Sequence, residues 1–140
     1  ILKQELMKIP LLGPAMTQAG YIGIERKDPR KSVKSIALAA KRIKGGASVL
    51  IFPEGTRSVD GRLQSFKRGG FNLAFKSGCD IVPMVINGSH RIATKGSLRI
   101  NRGSYSFHIG TPISLSGYGK RDIPRLMDKV HQAIGDKLPD

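Results

Sequence analysis

The chain has 140 residues, of which 39% are hydrophobic, and it carries 24 Lys and Arg against 10 Asp and Glu. The net charge of +14 is spread along the chain and favours an anionic partner: nucleic acid, an anionic lipid surface or a phosphorylated metabolite. The single cysteine excludes an internal disulfide and a multi-cysteine zinc site. With 6% aromatic residues and no Trp, the chain also offers few stacking platforms for single-stranded nucleic acid.

The length predicts one domain over residues 1–140, with no linker or repeat that divides it. No apolar run approaches the roughly 18 residues that span a bilayer. The sequence starts at Ile1 without an initiator methionine, so we expect a piece of a longer protein that is incomplete at its N-terminus.

The first half of the sequence predicts alternating strands and helices. Residues 5–18 are predicted to be partly helical, with breaks at Pro10 and Pro14. Residues 20–25 predict a strand, and a helix follows from Pro29 to the Gly45-Gly46 pair. The apolar stripe expected on this helix comprises Val33, Ile36, Ala37, Ala40 and Ile43.

Residues 48–52 and 81–86 predict two buried strands, and residues 69–76 predict a helix between them. This alternation predicts an α/β fold with a mostly parallel sheet, built from βαβ units and flanked by helices. The C-terminal part is expected to be more irregular and antiparallel. There, residues 97–101 and 104–110 predict a hairpin.

A final helix is predicted to begin at Pro124. Its expected apolar stripe comprises Ile123, Met127, Val130, Ile134 and Leu138.

Residues 52–58 read Phe-Pro-Glu-Gly-Thr-Arg-Ser and directly follow the predicted strand 48–52. Arg57 can grip a phosphate through two parallel hydrogen bonds, and Gly55 lets backbone N–H groups approach a ligand. Glu54 could orient Arg57 or accept a hydrogen bond from a substrate hydroxyl. Thr56 and Ser58 could donate to a ligand, although capping of the loop is the expected role.

Two further cations are predicted to share this edge of the sheet. Arg26 follows strand 20–25 as Arg57 follows strand 48–52, so parallel neighbours would bring both guanidinium groups to one edge. Lys67 precedes the start of a helix, where free N–H groups also attract anions. Together these residues predict a site for a phosphomonoester.

These residues resemble the blocks of the glycerolipid acyltransferase family, of the 1-acylglycerol-3-phosphate O-acyltransferase type. Residues 52–58 match the family's Phe-Pro-Glu-Gly-Thr-Arg-Ser block without a change. Residues 20–26 resemble the preceding block that ends in arginine, and residues 66–70 and 81–86 resemble the blocks that follow. Residues 3–13 are similar to the stretch that leads into the arginine block. Order and spacing agree over most of the chain.

The resemblance implies transfer of a fatty acyl group from acyl-CoA or acyl carrier protein to the free hydroxyl of 1-acylglycerol 3-phosphate, which gives phosphatidic acid. Such an enzyme binds a lysophospholipid acceptor and a thioester donor, and it needs no bound cofactor or metal. The resemblance assigns Arg26, Glu54, Gly55, Thr56 and Arg57 to the acceptor phosphate site, with Lys67 as a further contact. We expect a membrane-associated protein at the cytoplasmic face, in contact with anionic lipid and not with nucleic acid.

The family's catalytic pair is a histidine general base and an aspartate in an Asn-His-x-x-x-x-Asp block, which the resemblance places upstream of Ile1. We therefore expect no catalytic residue in this chain and no turnover by the chain alone. The His131–Asp136 string has the same spacing, but it follows the arginine block and lacks the preceding Asn. We interpret it as a chance match in which His131 faces solvent, and we interpret His90 as a turn residue.

Two alternatives remain open on sequence grounds. The acceptor could be glycerol 3-phosphate, dihydroxyacetone phosphate or another lysolipid, since each offers a phosphate and a hydroxyl. The chain could instead be a non-catalytic basic module that binds anionic lipid or nucleic acid.

Overall fold

A computed structural model describes residues 2–24, 29–97 and 99–138. Its residues form two compact units, one comprising 1–51 with 73–79 and the other comprising 52–72 with 80–140. We call them the first unit and the second unit. The expectation that residues 1–140 form a single domain stays a prediction.

The first unit begins with a short parallel strand pair, β1 (Leu2–Lys3) and β2 (Gly23–Ile24), in which Leu2 lies opposite Gly23. A 3₁₀ helix (Gln4–Lys8) and helix α1 (Leu12–Gln18) connect the two strands. The predicted break at Pro14 is wrong, because Pro14 lies in the first turn of α1, where a missing N–H costs no helical hydrogen bond.

Helix α2 (Pro29–Lys44) ends where the sequence predicted. Gly46 adopts a φ of 93°, and the Ala47 N–H donates to the Arg42 carbonyl over 3.1 Å, so the chain leaves the helix through a left-handed turn. The Arg42 guanidinium in turn donates to the Gly20 carbonyl, which ties the helix to the turn before β2.

The core of the first unit is formed by one face of α2 together with residues before and after it. Part of the predicted stripe is wrong: Val33 and Ala37 are exposed, whereas Ala39 is fully buried. The buried face therefore follows the 36–39–40–43 spacing of an α-helix. The core comprises Ile22, Ala39, Ala40 and Leu73, with Ile36, Ile43, Val49 and Ile51 packed against them.

Two residues of the predicted strand 48–52, Val49 and Ile51, pack against this core. Val49 and Ile51 pack inward while Leu50 is exposed, which is the alternation of an extended segment. The prediction of a buried strand is wrong, because Leu50 and Phe52 are exposed, Val49 and Ile51 are only half-buried, and the structure assigns no strand here. The mostly parallel sheet is accordingly not observed among the described residues, where the parallel pairing consists of β1 and β2.

Helix α3 (Gly69–Ser77) agrees with the prediction and ends at Gly78, whose φ is 69°. In the first unit, the buried Ser77 hydroxyl donates to the carbonyls of Leu73 and Ala74 over 2.8 and 3.0 Å. Its oxygen also lies 3.0 Å from the Cys79 sulfur. Cys79 is half-buried.

The second unit contains an antiparallel pair, β3 (Met84–Asn87) and β4 (Ser106–Ile109), with Met84 opposite Ile109 and Asn87 opposite Ser106. The pairing continues as a bridge between Ile81 and Ile113. Helix α4 (Ser89–Ile92) follows β3, and helix α5 (Ile123–Gly135) follows a 3₁₀ turn (Lys120–Asp122).

The predicted hairpin between residues 97–101 and 104–110 is wrong. β4 pairs with β3, and the described residues between 97 and 101 form no strand. The Asn101 N–H donates to the Ile92 carbonyl over 2.9 Å, so the turn-forming residues bind the end of α4 instead.

The final helix confirms the predicted element, but its buried face is shifted and it ends at Gly135, before the predicted stripe residue Leu138. Leu126 replaces Met127 at the centre of the stripe and is fully buried, and Met127 is half-buried. The buried residues of α5 are Ile123, Leu126, Val130 and Ile134. In the described part of the chain, no helix has the length and apolar character needed to cross a bilayer.

Candidate anion-binding site

The candidate site lies in the second unit, in the loop of residues 52–58, which we call the FPEGTRS loop. A tight turn opens the loop: the Gly55 N–H donates to the Phe52 carbonyl over 3.1 Å, and Gly55 adopts a φ of 74°. A side chain is strained in that left-handed conformation, which explains a glycine at this position.

Two hydrogen bonds hold this turn against residues 64–67. The Lys67 N–H donates to the Pro53 carbonyl over 2.8 Å, and the Gln64 N–H donates to Glu54 Oε2 over 2.9 Å. The structure therefore places the Lys67 backbone beside the FPEGTRS loop, and the predicted contact of its side chain with a phosphate stays a prediction. Its side chain is exposed, one residue before the turn that leads into α3.

Glu54 has a partner that the sequence did not suggest, and its predicted hydrogen bond with a substrate hydroxyl stays a prediction. Its carboxylate accepts a hydrogen bond from the backbone of Gln64 and is half-buried. Among the described residues, no ion pair joins it to Arg57. Glu54 therefore fixes the shape of the loop, and its position leaves Arg57 available for other groups.

Arg57 is exposed and rests on the end of helix α4. One guanidinium nitrogen, Nη1, donates to the Ala93 carbonyl over 3.2 Å. A guanidinium has five N–H donors, so this one contact orients the group and leaves a planar fork for an anion. Thr56, the neighbouring residue, is also exposed.

The segment after Arg57 folds back on itself. Ser58 Oγ donates to Asp60 Oδ1 over 3.0 Å and accepts the Gly61 N–H over 2.9 Å, which confirms the capping role expected for Ser58. The Arg62 N–H donates to Asp60 Oδ1 over 3.0 Å, and Arg62 Nε lies 3.9 Å from Oδ2. The hydrogen bond from the Arg62 backbone, followed by that from Ser58, lowers the pKa of Asp60 below its usual 3.8.

Besides the contact of Arg57 with Ala93, helix α4 also contacts the segment that follows Arg57. A Cβ built on Gly61 would lie 2.5 Å from Cε1 of the His90 imidazole, so the backbone and the ring are in close contact. Gly61 also has a φ of 85°. His90, interpreted as a turn residue, lies in α4 and serves as a packing surface for the loop.

Sequence reasoning missed the three residues that support the loop from outside it: Gln64, Gly61 and Ala93. The Asp60-Gly61 dipeptide is a turn signal and could have identified the bend. Nothing in the local pattern marks Gln64 or Ala93, because each contributes a backbone group to a contact that only the folded chain creates.

Two other residues that the sequence singled out are Arg26 and His131. Arg26 lies outside the described residues, so its predicted convergence with Arg57 stays a prediction. His131 is half-buried with its ring 4.8 Å from that of Phe66, so the expectation that it faces solvent is wrong. Phe66 also stacks with Phe71 at 6.1 Å, which places His131 at the end of an aromatic cluster.

Among the described residues, no three His, Cys, Asp or Glu side chains come together as a metal site. The loop presents the exposed Arg57 guanidinium, and the residue whose backbone binds the loop at Pro53, Lys67, has an exposed side chain, which suits an anionic group that carries several oxygen acceptors.

Comparison with known proteins agrees with this chemistry. The family model described as Acyltransferase matches residues 1–87, which include the FPEGTRS loop, and the chain therefore belongs to the acyltransferase family.

Two curated relatives carry a more specific name. The chain is 39% identical over 140 residues to the chloroplastic 1-acyl-sn-glycerol-3-phosphate acyltransferase BAT2 of Brassica napus, and it covers 39% of that protein. It is 31% identical over 135 residues to 1-acyl-sn-glycerol-3-phosphate acyltransferase alpha of Homo sapiens, of which it covers 48%. The chain thus spans less than half the length of these two relatives.

The crystal structure of the 1-acyl-sn-glycerophosphate (LPA) acyltransferase PlsC from Thermotoga maritima is also similar. Its TM-score is 0.75 at 27% sequence identity, over 96% of this chain and 54% of that one. This similarity supports the predicted glycerolipid acyltransferase fold at the level of the overall architecture.

Proposed function

We propose that this chain forms the acceptor phosphate site of an enzyme that transfers a fatty acyl group to 1-acylglycerol 3-phosphate, giving phosphatidic acid. The observation that carries the proposal is the exposed Arg57 guanidinium, held by one hydrogen bond to Ala93 in a loop of fixed shape. The similarity to two 1-acyl-sn-glycerol-3-phosphate acyltransferases supports this acceptor.

The reaction requires the acceptor hydroxyl to attack the thioester carbonyl. A C–O bond forms, the C–S bond breaks, and the hydroxyl proton finally resides on the departing thiol. The donor we propose is acyl-CoA or acyl carrier protein. Phosphate binding contributes by holding the hydroxyl at a fixed distance from the thioester.

Within the acceptor site, Arg57 takes two phosphate oxygens through parallel hydrogen bonds, and Lys67 adds a second positive charge. Thr56 offers a hydroxyl donor, Gly55 lets the phosphate approach the turn closely because it has no side chain, and Glu54 holds the loop in shape. We retain Arg26 as a further phosphate ligand. The general base is the histidine of the family's Asn-His-x-x-x-x-Asp block, which has no counterpart before Arg26 in these 140 residues.

We further propose that the protein works at the cytoplasmic face of a membrane, since both the acceptor and the product are lipids. The +14 charge supports attraction to anionic headgroups. We also keep the mostly parallel βαβ sheet as a proposal for the complete domain, supported by the similarity to the Thermotoga maritima acyltransferase.

The test uses a soluble, short-chain 1-acylglycerol 3-phosphate and isothermal titration calorimetry. Arg57→Ala should weaken binding by roughly 2–4 kcal/mol, about 30-fold to several hundredfold, because it removes two charge-assisted hydrogen bonds. The matched control is Arg62→Ala, which removes an exposed guanidinium from the same loop region. A short-chain acylglycerol without phosphate should bind neither protein.

Equal affinity of the wild type and Arg57→Ala for the phosphorylated acceptor would overturn the assignment. Acyl transfer by the 140-residue chain, at rates comparable to those of a full-length acyltransferase, would overturn the proposal that its general base lies in the Asn-His-x-x-x-x-Asp block. In the complete polypeptide, Arg57→Ala should raise the acceptor KM with a smaller change in kcat.

A further inference from the structure

Helix α4 of the second unit is too short to be stable by itself. It spans four residues, Ser89–Ile92, and its N-cap residue Gly88 provides no side-chain hydrogen bond. A single helical turn fixes several residues for very few hydrogen bonds, so it persists only where other parts of the chain hold it. The carbonyl groups at its C-terminal end also lack partners within the helix. The groups that bind these carbonyls therefore determine where the end of α4 lies.

One residue, Asn101, binds two neighbouring carbonyls at this end of α4. Its backbone N–H donates to the Ile92 carbonyl over 2.9 Å, and its side-chain Nδ2 donates to the Arg91 carbonyl over 3.1 Å. The next carbonyl along the chain, that of Ala93, accepts the hydrogen bond from Arg57 Nη1 over 3.2 Å. Asn101 and Arg57, which are distant in sequence, therefore bind consecutive carbonyls at the end of the same helix.

The segment that carries Asn101 also packs closely on α4. A Cβ built on Gly103 would lie 3.0 Å from Cγ1 of Ile92, and one built on Gly88 would lie 2.9 Å from the carbonyl oxygen of Ser104. Both distances are shorter than an ordinary van der Waals contact, so residues 101–104 lie directly against the helix. This close approach keeps Asn101 within hydrogen-bonding distance of the carbonyls that it binds.

The residue type at position 101 suits this contact. An asparagine amide carries two N–H donors, whereas an ionised aspartate carries none, so the amide can bind a carbonyl oxygen. On the other side of the turn, Arg57 has five N–H donors and uses one of them on Ala93. A guanidinium that is already oriented in this way loses less rotamer freedom when it binds an anion.

We propose that Asn101 is a positioning residue of the acceptor phosphate site. It fixes the end of α4, and through the Ala93 carbonyl it orients the guanidinium of Arg57. The inference rests on the proposed function, because Arg57 is the proposed phosphate ligand. Asn101 acts only through Arg57 and makes no contact with the acceptor.

The first experiment measures Arg57 without any acceptor. NMR relaxation of the Arg57 Nε–H group gives its order parameter, which reports motion on the picosecond to nanosecond timescale. Asn101→Ala should lower this order parameter, because the end of α4 loses a donor and holds the guanidinium less firmly. Asn101 is exposed, so the substitution creates no cavity.

A matched control lies in the same connection between α4 and β4. Ser97 is also exposed, and its Oγ accepts the Arg99 N–H over 3.0 Å, a hydrogen bond that does not involve α4. Ser97→Ala therefore removes one exposed hydrogen bond of the connection and should leave the order parameter of Arg57 unchanged. Circular dichroism and thermal unfolding verify that both variants are folded.

The second experiment measures affinity for a soluble, short-chain 1-acylglycerol 3-phosphate by NMR titration. Asn101→Ala should weaken binding by about three- to tenfold, since one long side chain must then be ordered on binding. In an Arg57→Ala background the same substitution should change the affinity by less than about twofold, because no guanidinium remains to be oriented. Ser97→Ala should bind as the wild type does.

Two kinds of result would overturn the positioning role. One is an order parameter of Arg57 that is unchanged in folded Asn101→Ala, or lowered equally by Ser97→Ala. The other is an equal loss of affinity in the wild-type and Arg57→Ala backgrounds, which would indicate direct contact with the acceptor or general destabilisation. If Arg57→Ala by itself binds the acceptor as tightly as the wild type, the proposed function fails, and the relaxation measurement still decides whether Asn101 orients the guanidinium.

Discussion

Gly61 offers the sharpest test of how the candidate site is held together. Its φ of 85° lies in the left-handed region, and a Cβ added there would meet the His90 imidazole at 2.5 Å from Cε1. Gly61→Ala therefore lowers the free energy of unfolding in two separable ways, one through the backbone and one through the contact with the ring. The backbone cost is about 1 kcal/mol, since an L side chain disfavours this conformation.

The steric cost depends on how far the ring can move. His90 is a side chain in a four-residue helix, so partial relaxation is expected and the low end of the overpacking range applies, about 1–2 kcal/mol. Gly61→Ala should thus destabilise the protein by about 2–3 kcal/mol. For a chain of this size, that corresponds to a fall in Tm of about 5–10 °C.

The structure provides a matched control for the backbone contribution to this destabilisation. Gly96 has a φ of 87° in the same unit, and a Cβ added there meets nothing within 4 Å. Gly96→Ala should therefore cost about 1 kcal/mol. The difference between the two variants, measured by urea unfolding, isolates the contact with His90.

A double-mutant cycle tests the contact directly. In a His90→Ala background, Gly61→Ala should cost about as much as Gly96→Ala, because the ring is gone, so the coupling energy should be about 1–2 kcal/mol. Acceptor binding should also weaken in Gly61→Ala and recover in the double variant. Equal destabilisation by Gly61→Ala and Gly96→Ala, with no coupling to His90, would refute the claim that α4 supports the loop.

Three further predictions concern neighbouring groups. Glu54→Ala should destabilise the protein by about 1–2 kcal/mol, because the half-buried Gln64 N–H loses its acceptor, whereas Glu54→Gln should cost less; urea unfolding distinguishes the two. The depressed pKa of Asp60 means that its contribution to stability is complete above the unfolded value near 3.8 and is lost as pH falls through the lower folded value, so its carboxyl should titrate below 3.8 by NMR. His131→Ala should lower stability by about 1 kcal/mol through the lost contact with Phe66 and leave acceptor affinity unchanged, and a large loss of affinity would contradict a packing role.

Part of the fold could be predicted because its determinants are local in sequence. Helix α2 begins at Pro29 and ends before Gly45-Gly46, and α5 follows its apolar spacing, since capping and periodicity act over a few residues. Strand partners could not be predicted in this way. β4 pairs with β3, which is distant in sequence, and Asn101, at the end of the first predicted hairpin strand, binds the end of α4 instead.

The candidate site shows the same difference between features that are local in sequence and contacts between distant residues. The sequence by itself determined that an arginine, a glycine and a carboxylate follow an apolar segment, and that they match the Phe-Pro-Glu-Gly-Thr-Arg-Ser block of the glycerolipid acyltransferases. Only the tertiary structure decided that Glu54 binds the Gln64 backbone and that Arg57 rests on Ala93. The physical reason is that the residue types available for hydrogen bonding are fixed by sequence, whereas the partner each one finds depends on which distant backbone groups the fold brings within about 3 Å.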